Sequence, residues 1–204
     1  MEKFLKGLKW FFNSYIWLFV LGILTDIISK NIIVNNMSVG DSIPLIPNFL
    51  HITYSVNTAA AFSIGTGNDV ANLVLYSCIA GAASVGIVFY YVKAHKKMHA
   101  LLKAALMLIL AGALGNLVDR LFYTPEYLGY TARGVVDFID FCGIWHAIFN
   151  IADSCICIGA LVMIIYFIVD EVNSRKAKPK DKVKQEKVLS KTEKEMQNQE
   201  NESK

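Results

Sequence analysis

The stretch Ala104–Leu121 reads AALMLILAGALGNLVDRL, and it decides the fold class of this chain. Its first twelve residues contain no polar side chain. Its length approaches the roughly 20 residues that a helix needs to cross a bilayer. Asn116, Asp119 and Arg120 follow close together at the C-terminal end. The pattern predicts a membrane-spanning helix that places polar groups near one face of the membrane.

Three further stretches are long and apolar enough to span a membrane: Ser14–Val34, Val70–Val92 and Ile144–Val169. Two longer loops separate them, at residues 35–69 and 122–143. None of the four Pro residues falls inside a span, as uninterrupted helices require. The sequence therefore predicts an all-α integral membrane protein, a bundle of four transmembrane helices with small extracellular loop elements.

The charged residues are unevenly distributed along the chain. Apolar residues make up 54% of the sequence and charged residues 18%, with a formal net charge of +3. Residues 171–204 contain ten Lys/Arg and seven Asp/Glu, so half of these 34 residues are charged. Residues 1–170 carry too little charge to coat a soluble domain, and their neutral balance of charges argues against a nucleic-acid-binding protein. We expect a transmembrane domain at 1–170 and a disordered, charged cytoplasmic tail at 171–204 without a catalytic role.

Basic residues beside the spans predict the orientation of the chain. The two longer loops contain Arg133 as their only basic residue, so they are predicted to lie outside and both termini to be cytoplasmic. Asp26 and Lys30 stand where a cleavable leader would have small residues, so the first span is predicted to be retained. The basic residues near the spans, apart from the tail, are Lys3, Lys6, Lys9, Lys93, Lys96, Lys97 and Lys103.

The polar residues of the spans all lie toward the ends that are predicted to face outside. An ionisable side chain costs about 2.5–3.5 kcal/mol in a membrane and usually lines a functional cavity. Independent scatter would not place these residues at one depth, so we predict a single site near the outer face of the membrane. Its candidate residues are Asp26, Lys30, Asn57, Asn116, Asp119, Arg120, Asp137, Asn150 and Asp153.

Spacing within the helices groups these residues further. Asp26 and Lys30 are four residues apart with the acid first, the favourable order for an ion pair. Asn116, Asp119 and Arg120 share one helix face. Structural ion pairs that hold the bundle together are the simplest interpretation of Asp26 and Asp119. The small residues Gly112 and Gly115, one turn earlier in the third span, would let a neighbouring helix approach closely.

Two carboxylates differ from the rest. Asp153 is the only charged residue of the fourth span, and Asp137 lies in the apolar segment Gly134–Phe141 just before it. Two carboxyl groups that meet in a low-dielectric pocket cannot both ionise easily, so one keeps a proton. Such a pair can hydrolyse an amide, because the carboxylate takes a proton from water while the acid polarises the carbonyl. A proton-relay pair in a small transporter or channel subunit fits the same spacing equally well, and a non-catalytic scaffold is a third alternative.

At these residues the chain resembles the lipoprotein signal peptidases, the signal peptidase II family of bacterial membrane aspartic proteases. Residues 112–120, 135–138 and 149–153 together form the most specific part of the match. The resemblance covers residues 14–169, essentially the whole membrane domain. Five segments match in order: TDIISK at 25–30, NTAAAFS at 57–63, GALGNLVDR at 112–120, VVDF at 135–138 and FNIAD at 149–153.

The resemblance implies four transmembrane helices, both termini inside, and small extracellular loop or β elements. It implies that Asp137 and Asp153 are the catalytic pair, and that the substrate is a prolipoprotein cut just before a Cys that bears diacylglycerol. The implied setting is the inner membrane of a bacterial cell, with membrane lipids as partners and the enzyme acting as a monomer. The implied substrate-binding residues are Asn57, Asn116, Arg120 and Asn150, and the implied supporting polar residues are Asp26, Lys30 and Asp119.

Other residues are predicted to play smaller parts. Ala59 stands where the family has Gly, which predicts an ordinary backbone conformation there. Asp140 is predicted to be a solvated loop acid. The four Cys residues form no CxxC pair and have no His at ligand spacing, so they are predicted to be buried hydrophobes. We predict no metal and no cofactor.

Overall fold

The structure is a computed structural model, and it describes residues 1–58, 68–123, 126–127, 130–131, 134–142, 144 and 147–175. Four of its helices are long and apolar enough to cross a membrane, which confirms the predicted bundle. The helices are α1 (Glu2–Ser14), α2 (Ile16–Asn36), α3 (Asp69–Ala94), α4 (Ala100–Phe122) and α5 (Ile151–Arg175). The strands are β1 (Ser42–Ile46), β2 (Leu50–Asn57), β3 (Glu126–Tyr127), β4 (Tyr130–Thr131) and β5 (Val135–Asp140).

Helix α1 was not predicted as a separate element. It ends where Tyr15 adopts a left-handed conformation with φ of 62°, and α2 begins at the next residue. The Tyr91 hydroxyl donates a hydrogen bond to the Ser14 carbonyl, which fixes this break against α3. Phe4 and Leu8 lie on one face of α1 and remain exposed, whereas its lysines lie on the other. Such an amphipathic helix is typical of a membrane surface rather than of a span.

Helix α4 is the central helix of the described bundle. Ten of its residues are buried, and it packs against both α2 and α3. A Cβ atom added to Gly112 would lie 2.2 Å from the carbonyl oxygen of Ala152, so α5 also approaches α4 with its backbone. The absence of a side chain at Gly112 is therefore what allows α4 and α5 to touch, as the sequence predicted.

A three-stranded antiparallel sheet in the order β1-β2-β5 lies at the end of α2 where Ile33 is buried. Ile33 packs in one hydrophobic cluster with Tyr54 of β2 and with Val136 and Phe138 of β5. Strands β3 and β4 form a separate two-stranded sheet. The cluster holds β5, and with it Asp137, against the helices.

The start of α5 differs from the predicted span. The apolar run begins at Ile144, but the helix begins at Ile151 because Phe149 pairs with Ile139 of β5 in an isolated antiparallel bridge. This pairing places the first turn of α5 beside β5. At its other end α5 continues to Arg175, five residues into the predicted tail.

The chain divides into two compact units, Met1–Met163 and a second that begins at Ile164. The first contains α1 to α4, the strands and the start of α5. Within the second, the structure describes the helical residues 164–175. The rest of the predicted tail, 176–204, and Ala59 lie outside the described residues.

Candidate active site

The first turn of α5 is built by a reciprocal pair of hydrogen bonds. The backbone N–H of Asp153 donates to Oδ1 of Asn150 at 2.8 Å, so Asn150 caps the helix N-terminus. In return the backbone N–H of Asn150 donates to Oδ2 of Asp153 at 3.2 Å. This is the geometry of a capping box, and it fixes the position of the Asp153 carboxylate. The N-terminal end of the helix also stabilises a negative charge at Asp153.

Asp137 and Asp153 are joined through Asn150. The side-chain amide of Asn150 donates to Oδ1 of Asp137 at 2.7 Å, while its backbone N–H donates to Asp153. Asn150 is fully buried and Asp137 is only 2% exposed, whereas Asp153 is partly exposed. The two carboxyl groups therefore share one environment, as an acid–base pair requires.

Two further amides orient the carboxyl groups. Nδ2 of Asn57, at the end of β2, donates to Oδ2 of Asp137 at 3.0 Å. Nδ2 of Asn116 in α4 donates to Oδ1 of Asp153 at 2.8 Å. The amides of Asn116 and Asn150 also meet, since Nδ2 of Asn150 lies 3.0 Å from Oδ1 of Asn116. Three segments that are distant in sequence thus converge on the two aspartates.

A buried cation lies behind this layer. Nζ of Lys30 contacts Oδ2 of Asp26 at 2.7 Å and Oδ2 of Asp119 at 2.9 Å. It also donates to Oδ1 of Asn116 at 3.2 Å. Because Oδ1 of Asn116 accepts from Lys30, its Nδ2 is directed at Asp153. The ion pairs therefore link α2 to α4, and Lys30 also orients the Asn116 amide toward Asp153.

Asp26 and Asp119 also accept hydrogen bonds from backbone N–H groups next to the two aspartates of the pair. Oδ1 of Asp26 accepts the Ala152 N–H at 2.8 Å, one residue before Asp153. Oδ2 of Asp119 accepts the Val136 N–H at 3.1 Å, one residue before Asp137. These contacts fix the relative positions of α2, α4, α5 and β5. The sequence grouped the residues but could not identify these backbone donors.

Arg120 lies at the edge of the site. Its Nη1 donates to the Asn116 carbonyl at 3.3 Å, and its guanidinium lies 5.8 Å from the centre of the Tyr76 ring. Its charge interacts electrostatically with Asp153 and Asp137. Its described hydrogen bond uses one of its five N–H donors, which leaves the guanidinium able to bind a further acceptor.

The environment of Asp137 favours its protonated form. Burial, followed by the charge of Asp153, raises the pKa of Asp137 from 3.8 to about 7. The hydrogen bonds from Asn57 and Asn150 act in the opposite direction because they stabilise the ionised carboxylate. At neutral pH the site can therefore hold one protonated and one ionised carboxyl group.

Two tyrosines were missed by the sequence analysis. The hydroxyl groups of Tyr54 and Tyr123 share a hydrogen bond that ties β2 to the end of α4. Burial, together with the hydrogen bond between the two hydroxyl groups, raises the pKa of Tyr54 above its ordinary value. Isolated tyrosines give no periodic signal in a sequence, so this contact could not have been inferred.

Asp140 was predicted to be a solvated loop acid, and that prediction is wrong. It is the last residue of β5, is partly buried, and accepts a hydrogen bond from Oγ1 of Thr53 at 2.8 Å. It lies three positions from Asp137, so the two side chains leave opposite faces of the strand. Asp140 is therefore not part of the carboxyl pair.

The membrane domain of this chain is similar to known proteins. A family model described as Signal peptidase (SPase) II matches residues 18–169. A lipoprotein signal peptidase of Fusobacterium nucleatum subsp. nucleatum is 38% identical over 151 residues, which cover 74% of this chain and 84% of the relative. One of Photorhabdus laumondii subsp. laumondii is 40% identical over 163 residues, which cover 78% and 87%. A solved structure described as a bacterial membrane enzyme, obtained by the in meso method at 2.3 Å resolution, superposes with a TM-score of 0.65. It is 34% identical in sequence, and the superposition covers 78% of this chain and 90% of that structure.

Proposed function

Because the chain belongs to the signal peptidase II family of membrane peptidases, we propose that Asp137 and Asp153 are the carboxyl pair with which it cleaves. Its reaction is the removal of signal peptides from prolipoproteins. Family membership favours this hydrolysis over the transporter and scaffold alternatives. The observation that supports the carboxyl pair most strongly is Asn150, which donates to both aspartates at once.

The two aspartates have different roles in the proposed reaction. Asp153 is the general base, since the helix N-terminus and the Asn150 N–H stabilise its ionised form. Asp137 is the general acid, since its raised pKa keeps a proton near neutral pH. The assignment follows from the surroundings of each group and not from its residue type.

Hydrolysis then proceeds through a tetrahedral intermediate. Asp153 takes a proton from water as the water oxygen attacks the scissile carbonyl carbon, and Asp137 gives its proton to the carbonyl oxygen. When the intermediate collapses, Asp153 returns its proton to the leaving nitrogen and the C–N bond breaks. Asp137 recovers a proton from one of the two hydroxyl groups, so the pair regains its starting state.

The neighbouring polar residues position this pair and the substrate. Asn57, Asn116 and Asn150 direct their amides at the two carboxyl groups, so each acts chiefly on the aspartates. Arg120, whose hydrogen bond to Asn116 uses one of its five N–H donors, binds a backbone carbonyl of the substrate peptide at the edge of the site.

The substrate is a precursor whose Cys already bears diacylglycerol, and the bond cut is the one just before that Cys. The polar ends of α2, α4 and α5 meet at one end of the bundle, beside the β1-β2-β5 sheet. A lipid-modified Cys at a membrane surface places its peptide bond at that depth while its acyl chains stay in lipid. Equal cleavage of modified and unmodified precursor would contradict this specificity.

The protein lies in the inner membrane of a bacterial cell, with both termini cytoplasmic and the active site near the outer face. Supporting this orientation, α1 presents its lysines at the end of the bundle opposite the carboxyl pair, where anionic lipid would attract them. A Cys at exposed Ser38 should react with a membrane-impermeant maleimide in intact cells. A Cys at exposed Lys97 should react only after the membrane is opened. The reverse pattern would contradict the orientation.

Substitution of each aspartate tests the carboxyl pair. Asp137→Asn and Asp153→Asn should each abolish cleavage of a lipid-modified precursor while the protein remains folded in the membrane. Asp140→Asn is the matched control, since it removes a carboxylate from the same strand but from its opposite face, and it should keep near-normal turnover. Near-normal turnover by either Asp137→Asn or Asp153→Asn would overturn the assignment.

A further inference from the structure

A second cluster of polar side chains lies on the sheet, away from the carboxyl pair. A ring nitrogen of His51, a carboxylate oxygen of Asp140 and the thiol sulfur of Cys142 all lie within 4.8 Å of one another. His51 of β2 and Asp140 of β5 are direct partners across the two strands, and Cys142 follows two residues later. The three residues are partly buried. Their approach is created by strand pairing, which is why sequence spacing gave no sign of it.

Two hydroxyl groups support the cluster. Oγ of Ser42 lies 3.2 Å from Nδ1 of His51, and Oγ1 of Thr53 donates to Oδ2 of Asp140 at 2.8 Å. The two hydroxyl oxygens are themselves 2.8 Å apart, and Ser42 and Thr53 are paired across β1 and β2. Metal ligands in proteins are commonly oriented by such outer hydrogen bonds to the imidazole and to the carboxylate. Here the orienting partners are present for two of the three side chains.

We propose that His51, Asp140 and Cys142 bind a zinc ion. An imidazole nitrogen, a thiolate and a carboxylate oxygen are the three ligand types that zinc takes in proteins. Three such ligands leave a fourth tetrahedral position for water. The ligand atoms all lie within 4.8 Å of one another, and they have to come closer together to reach the roughly 2.0–2.3 Å that separate zinc from its ligands. Among the described residues, this is the one group of three or more His, Cys, Asp or Glu side chains close enough to do so.

The proposed zinc site is separate from the hydrolytic site. Asp140 leaves the face of β5 opposite to Asp137, so a bound ion takes no part in proton transfer. Its effect is to join β2, the end of β5 and the segment that follows. That segment leads to Phe149, which pairs with Ile139, and then to Asn150. The ion would therefore stabilise the fold around the carboxyl pair without touching the substrate.

Cobalt binding tests the proposal, because Co²⁺ replaces Zn²⁺ and a thiolate ligand gives a charge-transfer absorption. The full chain, purified without a polyhistidine tag and held in lipid nanodiscs, is titrated with Co²⁺ and then with Zn²⁺. We expect one Co²⁺ per chain, a thiolate absorption band, and loss of that band when Zn²⁺ is added. A wild-type chain without the thiolate band would overturn the proposal.

Single substitutions locate the site. Cys142→Ser should lose the band, and His51→Gln should weaken binding by at least about tenfold, since even the loss of an outer partner costs that much. Cys78→Ser is the matched control, because it removes a thiol from α3 and should leave the band unchanged. Each variant should still cleave precursor, since the ion does not touch the substrate, and this cleavage shows that the variant is folded. A band that survives in Cys142→Ser, or disappears in Cys78→Ser, would place the metal elsewhere and contradict the proposal.

Discussion

The side-chain amide of Asn150 lies 2.7 Å from Oδ1 of Asp137, and Asn150 is also the residue that caps α5. One residue thus starts the helix that positions Asp153 and binds the other aspartate. Its burial is complete, so no water competes for these hydrogen bonds. Asn150 therefore positions both carboxyl groups of the pair.

Replacement of Asn150 by Ser separates its two functions. Ser is a good capping residue, so α5 should still form, but it lacks the amide that donates to Asp137. Loss of one such preorganised donor should lower kcat on the order of 100-fold. The alkaline pKa of the pH–rate profile should also rise, because the lost hydrogen bond stabilised ionised Asp137.

Asn150→Ala is the comparison for this variant, because it also removes the cap. It should lose about 1 kcal/mol more stability than Asn150→Ser in thermal unfolding. An Asn150→Ser enzyme with the wild-type rate and pH profile would show that the amide does not act on Asp137.

Cleavage should decline at alkaline pH. Asp137 must be protonated to act as the acid, and its pKa is raised to about 7, so the active fraction falls as pH rises through that value. Well above pH 7, kcat/KM should fall about tenfold per pH unit, because each unit lowers the protonated fraction of Asp137 about tenfold. The measurement is kcat/KM on a lipid-modified precursor between pH 5.5 and 9. A rate that stays constant to pH 9 would contradict the role of Asp137 as acid.

The contact between α4 and α5 should tolerate no side chain at Gly112. A Cβ atom there would lie 2.2 Å from the Ala152 carbonyl oxygen, so Gly112→Ala must push α5 away. Overpacking of this kind costs about 1–3 kcal/mol, and the displaced helix carries Asp153 with it. Both the unfolding temperature and the cleavage rate should fall. In Gly81→Ala, where the added Cβ meets nothing within 4 Å, both should stay near wild type.

Lys30 should be essential for stability, whereas an exposed lysine that is also four residues from its acidic partner should not be. Lys30→Met removes the ion-pair partner of buried Asp26 and of partly buried Asp119, which costs about 3–5 kcal/mol. Lys6→Met removes the exposed pair with Glu2, which has the same four-residue spacing, and should change little. The measurement is the thermal unfolding temperature of both variants in the same detergent. Equal stability of the two variants would mean that Lys30 does not hold the bundle together.

Much of the site could be predicted because a membrane makes polar residues conspicuous. Asp26, Lys30 and Asn116 stand out in apolar runs, and their spacing places them on helix faces. In the folded protein the Lys30 ammonium contacts both Asp26 and Asn116. The four spans follow from length and hydropathy in the same way.

The remaining features depend on contacts between distant parts of the chain. The start of α5 at Ile151 follows from the pairing of Phe149 with Ile139, which is decided by tertiary structure and not by hydropathy. The break at Tyr15 requires a left-handed residue that is not Gly, and sequence patterns rarely indicate one. The proximity of His51 to Asp140 depends on strand register, which the alternation of apolar and polar residues along the strands did not indicate.

Infrared spectroscopy shows whether Asp137 holds a proton beside an ionised Asp153. The carbonyl stretch of a protonated carboxyl group should be present in the wild-type protein at pH 5 and should disappear as pH rises through about 7. Asp137→Asn should lack this band. Asp153→Asn should keep it but lose it at a lower pH, because the neighbouring charge no longer favours the protonated form. A band that persists in Asp137→Asn, or is absent from Asp153→Asn at pH 5, would mean that Asp137 is not the protonated member of the pair.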